Sequence, residues 1–226
     1  MAAVPNLQIN TKERVAEHGE VLTGEREVTA MLNMLEQETL NIESRFLEPA
    51  CGDGNFLDEV LRRKLTVVES RYKRSQLEWE RYALLAVTSI YGIDVLPDNV
   101  QKCQHRLLER LEANYLRLFK RKVRSGFLQA VRFVLGKNII WGDALSLKKS
   151  DGSETPIVFS EWSPVKGSLI KRKDFAFHEL LPQEEEELSL FGATKLQHKS
   201  DTGQTVFLPT PIREYPPVHF LRLNDE

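Results

Sequence analysis

Phe46-Leu47-Glu48-Pro49-Ala50-Cys51-Gly52-Asp53-Gly54-Asn55-Phe56-Leu57 is the stretch that decides the fold of this chain. Its apolar start has the character of a strand. Two glycines follow in a short turn, and the residues beyond them have helical spacing. Glycine lacks a Cβ, so the backbone turns sharply there and a ligand can come close to the main chain. The first N–H groups of the next helix face whatever lies over the turn. Strand, Gly-x-Gly turn and helix together predict a nucleoside-cofactor site in an open α/β sheet.

Downstream, Asn55 to Lys64 read as a helix, with Phe56, Leu57, Val60 and Leu61 on one side. A second helical pattern fills 65–90 and is strongest from Leu77 to Ile90. Tyr91 to Val95 form a short strand carrying Asp94 near its end. Pro97 suits a first helical turn, and the helix from Asp98 is long. Val100, Leu107, Leu108, Leu111, Tyr115, Leu118 and Phe119 mark its apolar side. Its other side carries Lys102, Arg106, Arg110 and Arg117, read as a solvated charged face. Phe127 to Leu135 give another helical segment, Asn138 to Leu145 a third strand, and Pro156 to Ser160 a fourth.

Upstream, residues 1–20 form a polar arm. Thr23 is a candidate N-cap for a helix with Val28, Met31, Leu32 and Leu35 on its apolar positions, fading near Asn41. Beyond the fourth strand lie the basic stretch Lys166 to Lys173, an acidic run from Glu184 to Glu187 and a proline-rich tail. The expected organisation is an arm over 1–20, an α/β domain over 21–165, and an extension over 166–226 packed on the same domain. Alternating strands and helices predict a mostly parallel sheet with helices on both faces.

Composition sets the bounds. The 226 residues, 41% of them hydrophobic, suit one domain with a real core. A net charge of −2 gives no global sign of a nucleic-acid binder. Cys51 and Cys103 form no framework and fit a reducing compartment. Met1 to Asn10 lack a signal pattern, and no apolar run is long enough to span a membrane. The expectation is a soluble cytoplasmic protein with no membrane contact and no metal site.

Three strand ends carry the candidate site, because ligands in open parallel sheets bind beyond the carboxyl ends of the strands. The first offers Glu48, Pro49, Ala50, Cys51, Gly52, Asp53 and Gly54. The second offers Asp94, whose carboxylate can accept from both hydroxyls of a ribose. The third offers Asp143 and Ala144 for the edge of a base. A dinucleotide fingerprint needs a third glycine, and Leu57 stands in that place. Glu48 would repel a pyrophosphate and attract a cationic amino-acid or sulfonium group. The pattern favours S-adenosylmethionine (SAM) over NAD.

Leu47 to Leu57 resembles the SAM-binding motif of adenine-specific DNA methyltransferases of restriction-modification type. His18-Gly19-Glu20-Val21-Leu22-Thr23-Gly24 resembles the amino-terminal cofactor motif of that family, with Leu22 in place of an aromatic and Gly24 in place of proline. Ile90 to Pro97 resembles the acidic second motif, and Asn138 to Leu145 the third. The resemblance covers residues 12–160. It implies a Rossmann-like SAM-methyltransferase fold in which Thr23 and the turn from Ala50 to Gly54 cradle methionine. Glu48 would lie beside it, Asp94 would hold the ribose, and Asp143 with Ala144 would meet the adenine.

The family's catalytic Asn/Asp/Ser-Pro-Pro-aromatic tetrapeptide closes the fourth strand, where its polar group and a carbonyl hold the amine of a flipped base. Here that slot reads Phe159-Ser160-Glu161-Trp162-Ser163-Pro164-Val165, with no match in register. No catalytic residue is assigned. About 60 residues follow the fourth strand, too few for the family's remaining strands and target-recognition domain, so an incomplete sheet is expected. Two readings follow. One is a SAM-dependent DNA adenine-N6 methyltransferase, or a methyltransferase-like subunit of a defence system, touching DNA through Lys166 to Lys173. The other is an inactive SAM-binding subunit that acts through a protein partner.

Overall fold

The computed structural model describes residues 23–181, 197–199, 205–207 and 209–225. The expected arm, most of the amino-terminal motif and the acidic run Glu184 to Glu187 lie outside them. The chain opens with helices α1 (Glu25–Met34) and α2 (Glu36–Leu40). Gly24 rather than Thr23 is the N-cap, and no side chain caps α1. Val28 and Leu32 are buried on its inner face, but Met31 and Leu35, which the spacing puts on the same apolar side, are exposed.

Next come β1 (Phe46–Glu48), α3 (Asn55–Tyr72), α4 (Gln76–Thr88), β2 (Ile90–Asp94), α5 (Pro97–Phe119), α6 (Ser125–Asn138) and β3 (Ile139–Asp143). β1 pairs parallel with β2 through Phe46↔Ile90, and β2 pairs parallel with β3 through Gly92↔Ile139. A two-residue strand, β4 (Lys148–Lys149), adds an antiparallel edge at Gly142 and Asp143. The four-stranded sheet is therefore mixed, in the order β1-β2-β3-β4.

Side chains of a strand alternate between faces, and here the two faces have different cover. Phe46, Ile90 and Ile139 join the core built by α1 and α3 to α6. Tyr91, Ile93 and Ile140 join a second cluster with Ile157, Phe159 and Phe177. Ile157 directly precedes β5 (Val158–Pro164), which carries Phe159 and forms a hairpin with β6 (Leu169–Ala176), and Phe177 opens the short helix α7 (Phe177–Leu180). Helices thus cover one face and an antiparallel hairpin most of the other, which corrects the expectation of two helical layers. The reason is local. Lys148 to Thr155 is polar and turn-forming, with no apolar spacing from which a crossover helix could be made, so the chain turns back and β5 pairs with β6.

The tail returns to β6 and to the helical core. Besides β7 (Gln197–Lys199) paired with β8 (Thr205–Phe207), it adds β9 (Arg213–Glu214) and β10 (Val218–His219) to β6. A 3-10 turn over Phe220–Asp225 then buries Phe220 and Leu223 in the helical core.

The basic side of α5 is not simply a solvated face. Arg110 forks onto Asp58 of α3 at 2.9 and 2.5 Å, Arg117 onto Glu69, and Arg106 reaches Asp53 at 2.7 Å. Partly exposed pairs contribute well under about 1 kcal/mol each, yet three in a row fix the alignment of α5 on α3.

Lys64 of α3 is fully buried. Its ammonium donates to Ile42 O at 3.1 Å, to Ser44 O and to Ser89 Oγ at 2.5 Å. It ties the entry to β1 and the end of α4 to one helix. Burial pushes the Lys64 ammonium down to about 7. The unfolded chain keeps that proton to a higher pH, so this group makes stability rise as pH rises above 7. Lys64→Met leaves the three oxygens without their donor. It should lower unfolding stability by about 2–4 kcal/mol and flatten the rise between pH 7 and 9. Urea denaturation of both proteins at several pH values measures this.

Candidate functional site

The strand register brings the expected residues to one end of the sheet. Glu48 faces Gly92, Asp94 faces Trp141, and Asp143 lies two residues beyond Trp141 on β3. The carboxyl ends of three adjacent parallel strands therefore carry Glu48 with its glycine turn, Asp94 and Asp143.

The turn is built by backbone bonds. Cys51 N–H donates to Ile93 O at 2.8 Å, and Gly54 N–H donates to Cys51 O at 2.9 Å. Gly52 and Gly54 have φ of +52° and +91°, the left-handed region that glycine enters without strain. Gly54 is also required by packing: a Cβ there would lie 2.7 Å from Cys103 Sγ of α5. No side chain caps α3 at Gly54, so its first N–H groups remain at the turn.

Asp94 locks the turn to β2. Its Oδ2 accepts from Gly52 N–H at 2.8 Å, and its Oδ1 accepts from Leu96 N–H at 2.9 Å and from the Asn99 amide at 3.2 Å. A carboxylate offers about four acceptor sites, and these bonds occupy three of them. Glu48 is half-buried. Burial raises its pKa, and a hydrogen bond from the Ala50 backbone opposes this. Pro49 and Ala50 are exposed at the mouth of the turn. Asp143 accepts from Leu145 N–H at 2.9 Å and Ser146 N–H at 3.3 Å. Those bonds hold its carboxyl below the usual range and shape the exit loop beside half-buried Ala144. Leu145 (95% exposed) and Val95 (48% exposed) stand open beside these acids.

Thr23 is exposed, and its carbonyl accepts from the Asn55 amide at 3.3 Å. It is therefore brought to the turn. Asp53 is held through Oδ2 by Arg106, whose other nitrogen bonds Asn55. Its Oδ1 is buried without a hydrogen-bond partner. Cys51 and Cys103 are buried, and the neighbouring Cys103 thiol together with burial pushes the Cys51 thiol up. Cys51 is a packing thiol. Asn55, the last residue of the expected turn, is joined there by Asn99, Cys103 and Arg106, which escape sequence reasoning. Only the cationic row on α5 carries a signal, and it reads there as a solvated face.

The slot Ser160 to Val165 is not at this end. Ile157 packs where a Gly142 Cβ would lie, 2.7 Å away, near the carboxyl end of β3. From there β5 runs across the face. Tyr91 Oη–H donates to Ser160 O at 3.0 Å, and Arg45, just before β1, pairs with Glu161 at 2.5 Å. Trp162 Nε1–H donates to Asn138 Oδ1 at 3.0 Å, and Asn138 in turn donates to Ile90 O at 3.1 Å. Ser160, Glu161 and Trp162 thus stand toward the amino ends of the strands, away from the glycine turn.

Their side chains are also engaged. Ser160 Oγ–H donates to Asp174 at 2.7 Å, and Arg172 forks onto Asp174 at 2.8 and 2.7 Å. Burial pushes Asp174 up, but the bonds from Arg172 and Ser160 outweigh it and its pKa is lowered. Trp162 packs edge-on against Phe133. In the basic stretch, Lys171 and Lys173 pair with Glu214 at 2.7 and 3.1 Å. Three of its four cations are thus paired inside the chain, Lys171 and Lys173 sharing the one carboxylate of Glu214, and Lys166 is exposed. Among the described residues no group of His, Cys, Asp and Glu is arranged to hold a metal, and no helix is long and apolar enough to cross a membrane.

Gly54→Ala should cost roughly 2–4 kcal/mol in urea unfolding, the sum of a left-handed alanine and a clash with Cys103. Adding Cys103→Ala should return the steric share and leave the backbone share, which a double-mutant cycle separates. No family model matches this chain, nor does any curated protein or solved structure.

Proposed function

We propose that this chain is a SAM-binding, methyltransferase-like subunit that works with a protein partner. The observation that carries the reading is the bond from Gly52 N–H to Asp94. It places a bent glycine turn, an uncapped helix start and an acid together at the carboxyl ends of β1 and β2. The residues fit the cofactor. Asp53 Oδ1 is a buried acceptor without a donor, suited to an ammonium group. Glu48 lies half-buried at the end of β1 and is suited to a cationic methionine part. Asp94 retains an acceptor site for a ribose hydroxyl, and Val95 and Leu145 offer apolar surface for a base. When bound, SAM supplies a methyl group on a sulfonium. The residues of this chain bind and orient it.

The resemblance to adenine-N6 DNA methyltransferases supports a place in a restriction-modification system. The position of Ser160 to Pro164 favours the partner reading over a self-sufficient enzyme. No hydrogen-bonding pair from that slot faces the glycine turn, and Trp162 is enclosed. With Lys171, Arg172 and Lys173 paired internally, contact with DNA falls to the partner on this reading.

Titration calorimetry with SAM should show saturable heat and a rise in melting temperature; neither being seen would overturn the cofactor assignment. Asp94→Asn places an amide where three donors point; it should lower the melting temperature of the free chain and, measured well below that temperature, weaken binding at least about tenfold. Ser160→Ala should leave SAM affinity unchanged. In a tritiated-methyl assay on DNA the chain alone should be silent. Incorporation by the isolated chain would restore the enzyme reading.

A further inference from the structure

We propose that α1 and α2 dock a basic, amphipathic helix of another protein. Met31 and Met34 lie one turn apart on α1, at i and i+3, and Leu35 follows as its C-cap, at the joint with α2. They are 43%, 79% and 46% exposed, whereas Val28 and Leu32 on the inner side are buried. Thr39 N–H donates to Leu35 O at 3.0 Å across the break between the two helices, so the row continues toward Glu38. Exposed methionines in a row form an adaptable apolar surface that accepts a partner helix.

Charge selects the occupant. Glu27 lies one turn before Met31, and Glu38 one turn after Met34 and Leu35. From Glu25 to Glu43 five glutamates stand against the single cation Arg26. Arg63 reaches α1 from α3, but it is bound to Glu59, Asn33 and Thr29 O. Two copies of the chain meeting through this face would set these acids against each other. A helix with apolar residues at the same spacing and lysine or arginine at its flanks meets both the methionines and the acids. The surface stands on these observations whether or not the chain binds SAM. It also gives the subunit reading a place of contact: Thr23, just before α1, is tied to Asn55 at the glycine turn.

The test uses the full chain and a labelled leucine/lysine peptide of about 18 residues, long enough to form a helix, with leucines at i, i+3, i+4 and i+7. Fluorescence anisotropy should show saturable binding. Met31→Gln/Met34→Gln, which keeps helix propensity, should weaken it at least about tenfold. Glu27→Gln/Glu38→Gln should weaken it and reduce its salt dependence. A leucine/glutamate peptide of the same pattern should not bind. The proposal fails if the lysine peptide does not bind, or binds both variants as well as the parent. It also fails if sedimentation shows a dimer that Met31→Gln/Met34→Gln dissociates, since a second copy then owns the face. SAM calorimetry on the same variants, expected to be unchanged, separates this outcome from failure of the cofactor reading.

Discussion

The bond between Gly52 N–H and the Asp94 carboxylate is the constraint on which the rest of the molecule depends. It joins the turn after β1 to the end of β2, and the same carboxylate fixes Leu96 and Asn99 at the start of α5. Once α5 is aimed in this way, Cys103 arrives against Gly54, and Arg106 and Arg110 arrive against Asp53 and Asp58. A side chain at Gly54 would push α5 away, and the row of ion pairs would lose register. The glycine is thus required twice, by φ and by contact. The turn proposed for the cofactor and a helix-packing joint are the same few residues.

The parts of the fold legible in the sequence are those governed by local periodicity. The glycine turn, the acid closing β2 and Pro97 at the first turn of α5 all follow from spacing and backbone chemistry. Where pairing decides, the sequence is mute. Pro156 to Ser160 has the composition of a buried strand, and composition does not say whether its neighbour is β1 or β6. A run of strand residues is compatible with either until the connection is seen to lack a helix. The charged side of α5 fails for a related reason, because periodicity marks a face as polar without saying that α3 carries the matching acids. Asn99 had no signal, since single asparagines near a turn are common in any loop.

Hydrogen-bond satisfaction separates the two ends of the sheet. At the amino ends, Ser160, Asp174, Arg172 and Tyr215 bond one another, and Trp162 is held by Asn138. A buried polar network that is fully satisfied rigidifies a fold, and a group whose acceptors and donors are all engaged is not free to hold a substrate. That end reads as architecture.

At the carboxyl ends the satisfaction is incomplete. Asp53 keeps a buried oxygen without a donor, Asp94 keeps an acceptor site, and Val95 and Leu145 keep apolar surface in the open. The first costs stability in the free chain, because a buried acceptor without a donor loses about 1–3 kcal/mol. A ligand carrying an ammonium group, a vicinal diol and a flat apolar ring would correct all three at once, and S-adenosylmethionine carries each of them. The same asymmetry bears on the missing chemistry. On the proposed reading a target-base pocket would need free hydrogen-bonding groups facing the glycine turn, and β5 turns its polar groups the other way. What this chain leaves unsatisfied suits a cofactor, and what it satisfies includes the segment where the acceptor should have been held.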